Sequence, residues 1–346
     1  MSKTLQDYAT LINDTIQSNE INHYITTDNM CQNLGGIDTF KNINIPQGKV
    51  RSFQKDDVLL SNIRLYFRKV YRAKQKGGCS SDVLVFRAKR IDSATLFAIL
   101  SSQIFTDYAC SGSQGSKMPR GNKTHMMDFK IPTINFTIAK IFNSIQNKIE
   151  NNHKINELLH TLAYKIYEYY FKYKPKNAKL EQIIIENPKS SIMVKNAQKT
   201  QDKYPFFTSG DNILSYPQAI IDGRNCFLNT GGNAGIKFYV GKASYSTHTW
   251  CICANEFSDY LYLLLSSIKT HINQSFFQGT SLKKLQKNSL KKYPIYMPSA
   301  HEIKKFNQII MPLLTLISIN TRTSKKLEQI RDFLLPLLLK QQVKPQ

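Results

Sequence analysis

Basic side chains interleaved with aromatic rings are concentrated between residues 51 and 76. Eight lysines and arginines lie in this stretch against two aspartates, and Tyr66, Phe67 and Tyr71 stand among them. Guanidinium and ammonium groups anchor phosphates, whereas aromatic rings offer stacking and apolar surface to bases and sugars. The stretch therefore predicts contact with nucleic acid, the alternative being a solvated strand-loop-strand face whose aromatic rings belong to the core. The candidate contacts are Arg64, Tyr66, Arg68 and Lys69.

Two further basic segments lie at equivalent places in the two halves of the chain. The first is a segment bearing glycine and proline at residues 117–123, and the second is a basic run that begins at residue 283 and contains no acidic residue. Because flexible backbone lets basic side chains follow a groove, we predict that both segments contact DNA. The candidates are Lys117, Arg120 and Lys123 in the first half and Lys283, Lys284 and Lys287 in the second.

A glycine-rich segment, Asn229–Gly235, has the composition of a phosphate-binding loop. The spacing G-x-x-x-x-G-K-[ST] is not met, because Ile236 stands where the first glycine before Gly241 and Lys242 is required. This departure argues against nucleotide hydrolysis and favours a tight strand connection that brings the backbone close to DNA. Asn233 and Lys242 are the candidate contacts in this part of the chain.

Motifs for catalysis are missing from the sequence. It has no Asp/Asn-Pro-Pro-Tyr/Phe motif for methylating a flipped adenine, no glycine-rich turn for a methyl donor, and no H-E-x-x-H or G-x-S-x-G motif. The six cysteines form no C-x-x-C pair, which predicts reduced thiols. We therefore expect a non-catalytic chain that holds no cofactor and no metal. The alternative from another class is a nuclease that uses scattered acidic residues.

The composition is strongly basic. The 346 residues include 47 lysines and arginines against 24 aspartates and glutamates, a formal net charge of +23. Such an excess suits a polyanion, because each phosphate neutralised by a cation releases condensed counterions. A basic but inert surface and a membrane surface are weaker alternatives. Since no apolar signal core opens the sequence and its apolar stretches are short, we expect a cytoplasmic protein that binds no membrane.

The order of sequence features repeats after about 165 residues. An apolar run ending in two serines, Leu96–Ser102, is followed by Gln114-Gly115 and a basic segment, and the same order recurs as Leu261–Ser267 and then Gln278-Gly279-Thr280. Each copy closes with a proline boundary and a long apolar-periodic segment. The duplication predicts pseudo-twofold symmetry within one chain, which suits a partner that is itself double, such as duplex DNA.

Short β-forming runs alternate with turn signals in both halves. A helix is expected from Ser93 to about Tyr108, with a serine cap ahead of its apolar residues. Each half is therefore expected to be a mixed α and β domain. The predicted strands span residues 57–61, 69–73, 82–87, 182–185, 219–221, 226–228, 237–240 and 249–253.

Two long helices are predicted from apolar residues at three- and four-residue intervals, over about residues 134–173 and 300–342. The centre of each apolar stripe is polar, with Asn152 in the first helix and with Asn320 and Ser324 in the second. Polar residues at such positions cost stability but define the register of a helix pair. The two helices can therefore pair antiparallel with their polar centres juxtaposed. The alternative is two unrelated surface helices, each packed on its own domain.

The fold class that follows is α+β: two pseudo-symmetric mixed α/β domains separated by two long antiparallel helices that form a coiled-coil spacer. Pro312 and Pro336 interrupt the second helix, so kinks or breaks are expected there. The expected boundaries are residues 1–133 and 175–298 for the two domains and residues 134–174 and 299–346 for the two helices.

Several segments resemble the target recognition domains of type I restriction-modification specificity subunits, and the chain is identified as a member of that family. The resemblance covers nearly the whole chain and includes the order of its parts, although the chain is compact for the family and has short ends. The segments that carry it are Tyr24–Met30, Asp57–Tyr66, Gly78–Val85, Lys117–Lys123, Tyr204–Gly210, Asn229–Gly235, Lys242–Ser246 and Ile330–Pro336.

The resemblance implies a subunit with two target recognition domains, each reading one half of a bipartite DNA sequence. It also implies binding of two methyltransferase subunits through the helices, and a restriction complex once motor/restriction subunits join. The alternatives are the specificity subunit of a related two-part, type IIB-like enzyme and a basic coiled-coil scaffold with nonspecific nucleic-acid binding. The candidate partner-binding residues on the helices are Ile145, Asn152, Leu159, Ile317, Asn320 and Leu327.

Overall fold

The computed structural model describes residues 3–38, 43–197, 203–210, 213–279 and 282–339. The chain divides into two compact units: unit 1 comprises Met1–Glu150 and Ile330–Gln346, and unit 2 comprises Asn151–Gln329. The expected end of the second long helix near Gln342, and Thr280 of the repeated motif, lie outside the described residues.

Unit 1 contains two four-stranded sheets, with short helices ahead of the first long helix. The main sheet has the order β1-β8-β5-β6 and is antiparallel throughout, and the second has the order β2-β4-β7-β3. The elements are α1 (Leu5–Tyr8), β1 (Ala9–Ile12), β2 (Thr15–Gln17), β3 (Tyr24–Ile25), β4 (Lys49–Phe53), β5 (Val58–Ser61), β6 (Val70–Arg72), β7 (Gly77–Cys79), β8 (Val83–Ala88), α2 (Ser93–Leu100), α3 (Gln103–Ser111), α4 (Lys123–Met127) and α5 (Phe136–Tyr167).

The central strands of this main sheet are buried on both faces. Leu60 and Phe86 pack into the core beneath the helices, whereas Leu59 and Val85 point to the smaller core on the other face. This alternation follows from the two-residue period of a strand, and it explains why β5 and β8 are apolar almost throughout.

Unit 2 repeats the topology of unit 1. Its main sheet has the order β10-β16-β13-β14, again antiparallel, and a three-stranded sheet β12-β11-β15 takes the place of the second sheet. The elements are β9 (Ala178–Lys179), β10 (Ile185–Glu186), β11 (Tyr204–Phe207), β12 (Leu214–Tyr216), β13 (Arg224–Asn229), β14 (Ile236–Val240), β15 (Ser244–Tyr245), β16 (Thr249–Cys253), α6 (Ser258–Ser267), α7 (Lys269–Ser275), β17 (Phe277–Gln278), β18 (Lys284–Leu285), α8 (Lys287–Lys291), β19 (Pro294–Ile295) and α9 (Ala300–Leu338).

The two long helices pair antiparallel within each unit. In unit 2, Asn152 Nδ2 donates to Ser324 Oγ at 3.1 Å, and Asn320 Nδ2 donates to Asn156 Oδ1 at 3.0 Å, so residue numbers rise along α5 as they fall along α9. In unit 1, α5 and α9 share the core that holds Phe142 and Leu335. The predicted fold class, with mixed α/β domains and two long antiparallel helices, is confirmed.

Both predicted interruptions of the second helix are wrong as breaks, because α9 runs unbroken through Pro312 and Pro336. Each proline lies on the exposed face, where water can bond to the carbonyl that loses its amide partner. The first long helix ends differently, since α5 continues as a π-helical turn over Glu168–Lys172. Within the described ranges, no helix is long and apolar enough to cross a bilayer.

Three smaller predictions require correction. The single helix expected from Ser93 is two helices, because the Ser102 hydroxyl accepts from the Phe105 amide and starts α3 anew. The strand expected at 182–185 is a 3-10 turn at Leu180–Gln182 followed by the short β10. The strand expected at 219–221 is a single bridge, because two successive amides converge on one carbonyl, that of Ala243.

Candidate nucleic-acid interface

A short antiparallel ladder in unit 1 joins the segment after β5 to the basic loop before α4. The Arg64 amide donates to the Pro119 carbonyl at 2.9 Å, and the Gly121 amide donates to the Asn62 carbonyl at 3.1 Å. Arg120 pairs in turn with Gln114 through two backbone bonds of 2.8 and 2.9 Å. We call this arrangement, residues 62–64 with 114–121, arch 1. It brings together two of the predicted basic segments, which are far apart in sequence.

Unit 2 contains the same ladder at the equivalent position. The Gly232 amide donates to the Lys283 carbonyl at 2.9 Å, and the Leu285 amide donates to the Thr230 carbonyl at 3.0 Å. Lys284 pairs with Gln278 between β18 and β17, as Arg120 pairs with Gln114 in unit 1. We call this arrangement, residues 230–232 with 278–279 and 282–285, arch 2. The glycine-rich segment is thus the connection that supports the second basic loop.

The residue at the start of each ladder has a left-handed backbone conformation. Arg64 has φ 50°, in the left-handed region that side-chain-bearing residues rarely adopt, and its counterpart Gly232 has φ 80°. Arg64 Nη2 donates to the Lys117 carbonyl at 3.2 Å, and its guanidinium carbon lies 6.0 Å from the centre of the Phe67 ring. Within the described part of the chain, its buried Nε has no hydrogen-bond partner. Arg64 is therefore held at the base of the basic loop.

The other candidates of unit 1 differ in how freely they face solvent. Tyr66, Lys117 and Lys123 are exposed, and Lys123 is the first residue of α4. Arg120 is exposed as well, although it forms two hydrogen bonds of 3.1 and 3.2 Å with the Asp82 carboxylate.

Two candidates of unit 1 are tied to neighbouring backbone. Arg68 Nη2 donates to the Ser101 carbonyl at 2.8 Å, and burial lowers the pKa of Arg68. Lys69 Nζ donates to the Thr27 carbonyl at 2.5 Å. These contacts connect the strand β6 region to the end of α2 and to the loop after β3, so both side chains also contribute to packing.

Unit 2 separates its candidates into two places. Lys283 and Lys284 are exposed on arch 2, and Asn233 is exposed in the adjoining turn. Lys242 instead lines an open cleft of about 580 Å³ together with Lys203 and residues 217–222, away from the arch. The structure therefore does not bring Lys242 together with the basic loop.

Lys287 is half-buried against an aromatic ring. Its Nζ lies 5.0 Å from the centre of the Trp250 ring, and burial lowers its pKa. Trp250 Nε1 donates to Glu186 Oε2 at 2.8 Å, and Glu186 also forms an ion pair with Lys291. The equivalent residue in unit 1, Lys123, is exposed, so the two arches differ at the start of the helix that follows each of them.

Four of the six candidate partner-binding residues, Asn152, Leu159, Ile317 and Asn320, lie at or beside the seam between α5 and α9. Asn152 and Ile317 are buried, and Asn320 bonds across the seam to Asn156. Ile145, Leu159 and Leu327 are half-buried. The large apolar residues that these helices expose are different ones. They include Ile155, Leu158, Leu162, Ile309, Leu316, Ile319, Ile330 and Phe333.

Sequence reasoning missed two arginines, one in each unit. Each forms hydrogen bonds between the sheet domain and a long helix of its own unit. Arg331 of α9 is 2% exposed and donates to Gln146 Oε1 at 3.1 Å and to the Asn33 carbonyl at 3.4 Å. In unit 2, Arg224 of β13 binds the buried Asp259 carboxylate and donates to Thr315 Oγ1 of α9 at 3.0 Å. An arginine inside the apolar stripe of α9 was the available signal for Arg331.

No group of three or more potential metal ligands is clustered among the residues that the structure describes. Asp259 is a buried acid of unit 2, and burial raises its pKa while its bonds to Arg224 oppose that shift. Paired in this way, the Asp259 carboxylate is a structural group, and it lies with Arg224 rather than on arch 2.

Comparisons with known proteins bear on both the domain and the whole fold. Residues 176–329 match the family described as type I restriction modification DNA specificity domain. The S subunit of a type I restriction-modification system from M. genitalium is similar over 99% of this chain and 96% of its own, with 13% identity and a TM-score of 0.64. This likeness shows a shared fold along the chain.

Two further solved structures match over similar lengths with lower structural scores. An HsdS subunit from Thermoanaerobacter tengcongensis has 13% identity and a TM-score of 0.37, and covers 98% of this chain and 96% of its own. A chain from a structure of complex assembly and conformational transition of the type I R-M system has 12% identity and a TM-score of 0.37, and covers 98% and 97%. A search of the curated proteins finds no match.

Proposed function

We propose that this chain, a member of the type I restriction-modification specificity subunit family, reads a bipartite DNA target. The observation that carries the proposal is that a basic loop is braced by the same backbone ladder in both units. Each arch exposes cations on a backbone that is hydrogen-bonded on both sides, which suits phosphate contact at a defined position. Two equivalent arches in one chain suit the two halves of a split site.

The contacts are divided between the two half-sites. Arg64, Tyr66, Lys117, Arg120 and Lys123 serve the first, with Arg68 and Lys69 supporting them. Asn233, Lys283, Lys284 and Lys287 serve the second. Lys242 would contact DNA only if the duplex extended to the cleft of the three-stranded sheet. The recognition domains are taken as residues 1–133 and 175–298, and the spacer helices as 134–174 and 299–346.

Methylation and cleavage belong to other subunits in this proposal. Two methyltransferase subunits dock on the paired helices, and motor/restriction subunits join them in the cytoplasm. The buried seam holds the helices together, so docking uses the exposed apolar residues of each unit, such as Leu158 and Leu316 in unit 2 and Phe333 in unit 1. The half-buried residues Ile145, Leu159 and Leu327 lie on the same two helices and support those exposed residues.

Co-expression with candidate methyltransferase chains, followed by mapping of modified adenines, tests the proposal. A two-part motif with a fixed gap is the expected result. Copurification with one chain that carries both methylation and cleavage would point to the related two-part enzyme instead. Cleavage of DNA by the isolated chain with Mg²⁺ would contradict the non-catalytic assignment.

The first basic loop, residues 117–123, is tested by neutralising Lys117, Arg120 and Lys123 together. In the assembled complex, DNA affinity should fall, and the slope of log K against log salt should decrease by about one unit for each cation that no longer neutralises a phosphate. Lys154, an exposed lysine on α5, provides the matched control, and its replacement by glutamine should leave the slope unchanged. Unchanged affinity of the triple variant would refute the role of the first basic loop.

A further inference from the structure

Each arch carries one large apolar side chain that faces solvent. Met118 in arch 1 is 52% exposed, and Leu282 in arch 2 is 61% exposed. Both directly precede the residue whose carbonyl accepts the first ladder bond, Pro119 in one arch and Lys283 in the other. The two apolar residues are therefore equivalent under the duplication, although the residues around them differ in type.

Neither side chain belongs to a hydrophobic core formed by the described residues of its unit. Ladder bonds follow both residues immediately, and a glycine with positive φ precedes each of them in the sequence. Gly115 has φ +100° and Gly279 has φ +133°, a conformation that L side chains rarely adopt. A Cβ added to Gly279 would lie 2.6 Å from the Leu282 carbonyl oxygen. Each apolar side chain is thus exposed to solvent directly beside hydrogen-bonded ladder residues.

Cations lie close to both apolar residues in the sequence. Exposed Lys117 and Arg120 flank Met118, and exposed Lys283 and Lys284 follow Leu282. Basic groups beside an apolar tip match the chemistry of duplex DNA, in which phosphates line a groove whose floor is formed by base edges and stacked rings. A phosphate-only contact would not call for an apolar side chain at the same place in both arches.

We propose that Met118 and Leu282 are the apolar base-contacting residues of the two half-sites, one in each. The inference rests on the proposed function and deepens it, because it assigns sequence discrimination to the arch tips and phosphate binding to the cations beside them. Leucine and methionine side chains of DNA-binding proteins contact or wedge between bases in this way.

The test uses Met118→Ala and Leu282→Ala in the complex with its methyltransferase subunits. Affinity is measured for the duplex identified by adenine mapping and for an unrelated duplex at the same salt concentration. Each variant should bind the cognate duplex about tenfold more weakly, since the exposed half of the side chain no longer packs against bases. Affinity for the unrelated duplex and the salt slope should not change, because every phosphate-binding cation is retained.

Met193→Ala is the matched control, because Met193 is 53% exposed and lies outside both arches. Met118→Leu gives arch 1 the same side chain that arch 2 carries at the equivalent position, Leu282. This variant should retain its affinity for the cognate duplex. The two alanine variants should also relax methylation specificity at different halves of the motif.

The outcomes separate the inference from the function on which it rests. A wild-type complex that does not prefer any duplex would overturn the proposed function. A wild-type complex that discriminates, while both alanine variants bind like Met193→Ala, would overturn the apolar contact alone. Equal weakening toward both duplexes would also overturn it, because that pattern indicates a disturbed loop rather than a missing interaction with bases.

Discussion

Replacing Asn152 by alanine should destabilise the helix pair more than the loss of one hydrogen bond would suggest. Asn152 is 2% exposed and Ser324 is 3% exposed, and the amide of the first donates to the hydroxyl of the second at 3.1 Å. The variant loses that bond and leaves the Ser324 hydroxyl buried without its partner. An unpaired buried polar group costs free energy in addition to the net value of the lost bond.

The magnitude follows from these two terms. The bond contributes about 1 kcal/mol and the stranded hydroxyl a similar amount, so the free energy of unfolding should fall by about 2 kcal/mol. Ser324→Ala strands the Asn152 amide and should cost about as much. The double variant should cost less than the sum of the two single variants, with a coupling of about 1 kcal/mol.

Urea denaturation followed by far-ultraviolet circular dichroism measures these differences in the intact chain. Lys154→Ala is the matched control on the same helix, because its ion pair with Glu157 is exposed and should contribute less than about 0.5 kcal/mol. Coupling between Asn152 and Ser324 that is indistinguishable from zero would refute a direct bond across the seam.

Two further predictions concern the ends of α9. Glu302 accepts a hydrogen bond from the Ser299 amide, which with the Tyr296 hydroxyl lowers its pKa from 4.5 to about 2. The stabilisation from this lowered pKa is therefore present above about pH 4.5 and is lost as the pH falls toward 2. Glu302→Gln should flatten this part of a curve of stability against pH. An unchanged curve would contradict the stabilising hydrogen bonds of Glu302 at the start of α9. Arg331→Met should lower the free energy of unfolding by about 2 kcal/mol, because Gln146 and a loop carbonyl lose their buried donor. The midpoint of urea unfolding measures this loss of stability. An Arg331→Met variant as stable as the wild type would contradict a stabilising role for the hydrogen bonds of Arg331.

Helix pairing was predictable because its signal is local. The three- and four-residue spacing of apolar side chains in α5 and α9 requires only the helical period, and the polar centres at Asn152 and Ser324 indicated how the helices match. The strands β5, β8, β13, β14 and β16 were predictable for the same reason, since each is a run of β-forming residues. The unbroken course of α9 through its prolines was not predictable from the sequence. On an exposed face, water can bond to the carbonyl that a proline leaves without its amide partner, so the helix can continue.

The candidate site was predictable in its residue types and in its location on two basic loops. The partner of each loop was not predictable, because the ladder joins residues 62–64 to a segment far along the chain, and no local pattern encodes that pairing. The same limit applies to single side chains. In the sequence, Arg68 and Lys287 cannot be distinguished from the basic residues near them. In the structure, Arg68 contacts the Ser101 carbonyl and Lys287 contacts the Trp250 ring, so both side chains are partly buried.

The amino-acid sequence by itself determined that the chain is duplicated, basic, helix-paired and without recognisable catalytic motifs. These properties depend on composition, on periods of two to four residues and on the order of similar segments. All of them follow from the linear sequence without any tertiary contact. Tertiary structure decided that the basic loops form two matching arches, that Met118 and Leu282 stand exposed on them, and that Arg331 is buried. Such features arise from contacts between distant segments, whose energies depend on packing and burial that no local pattern contains.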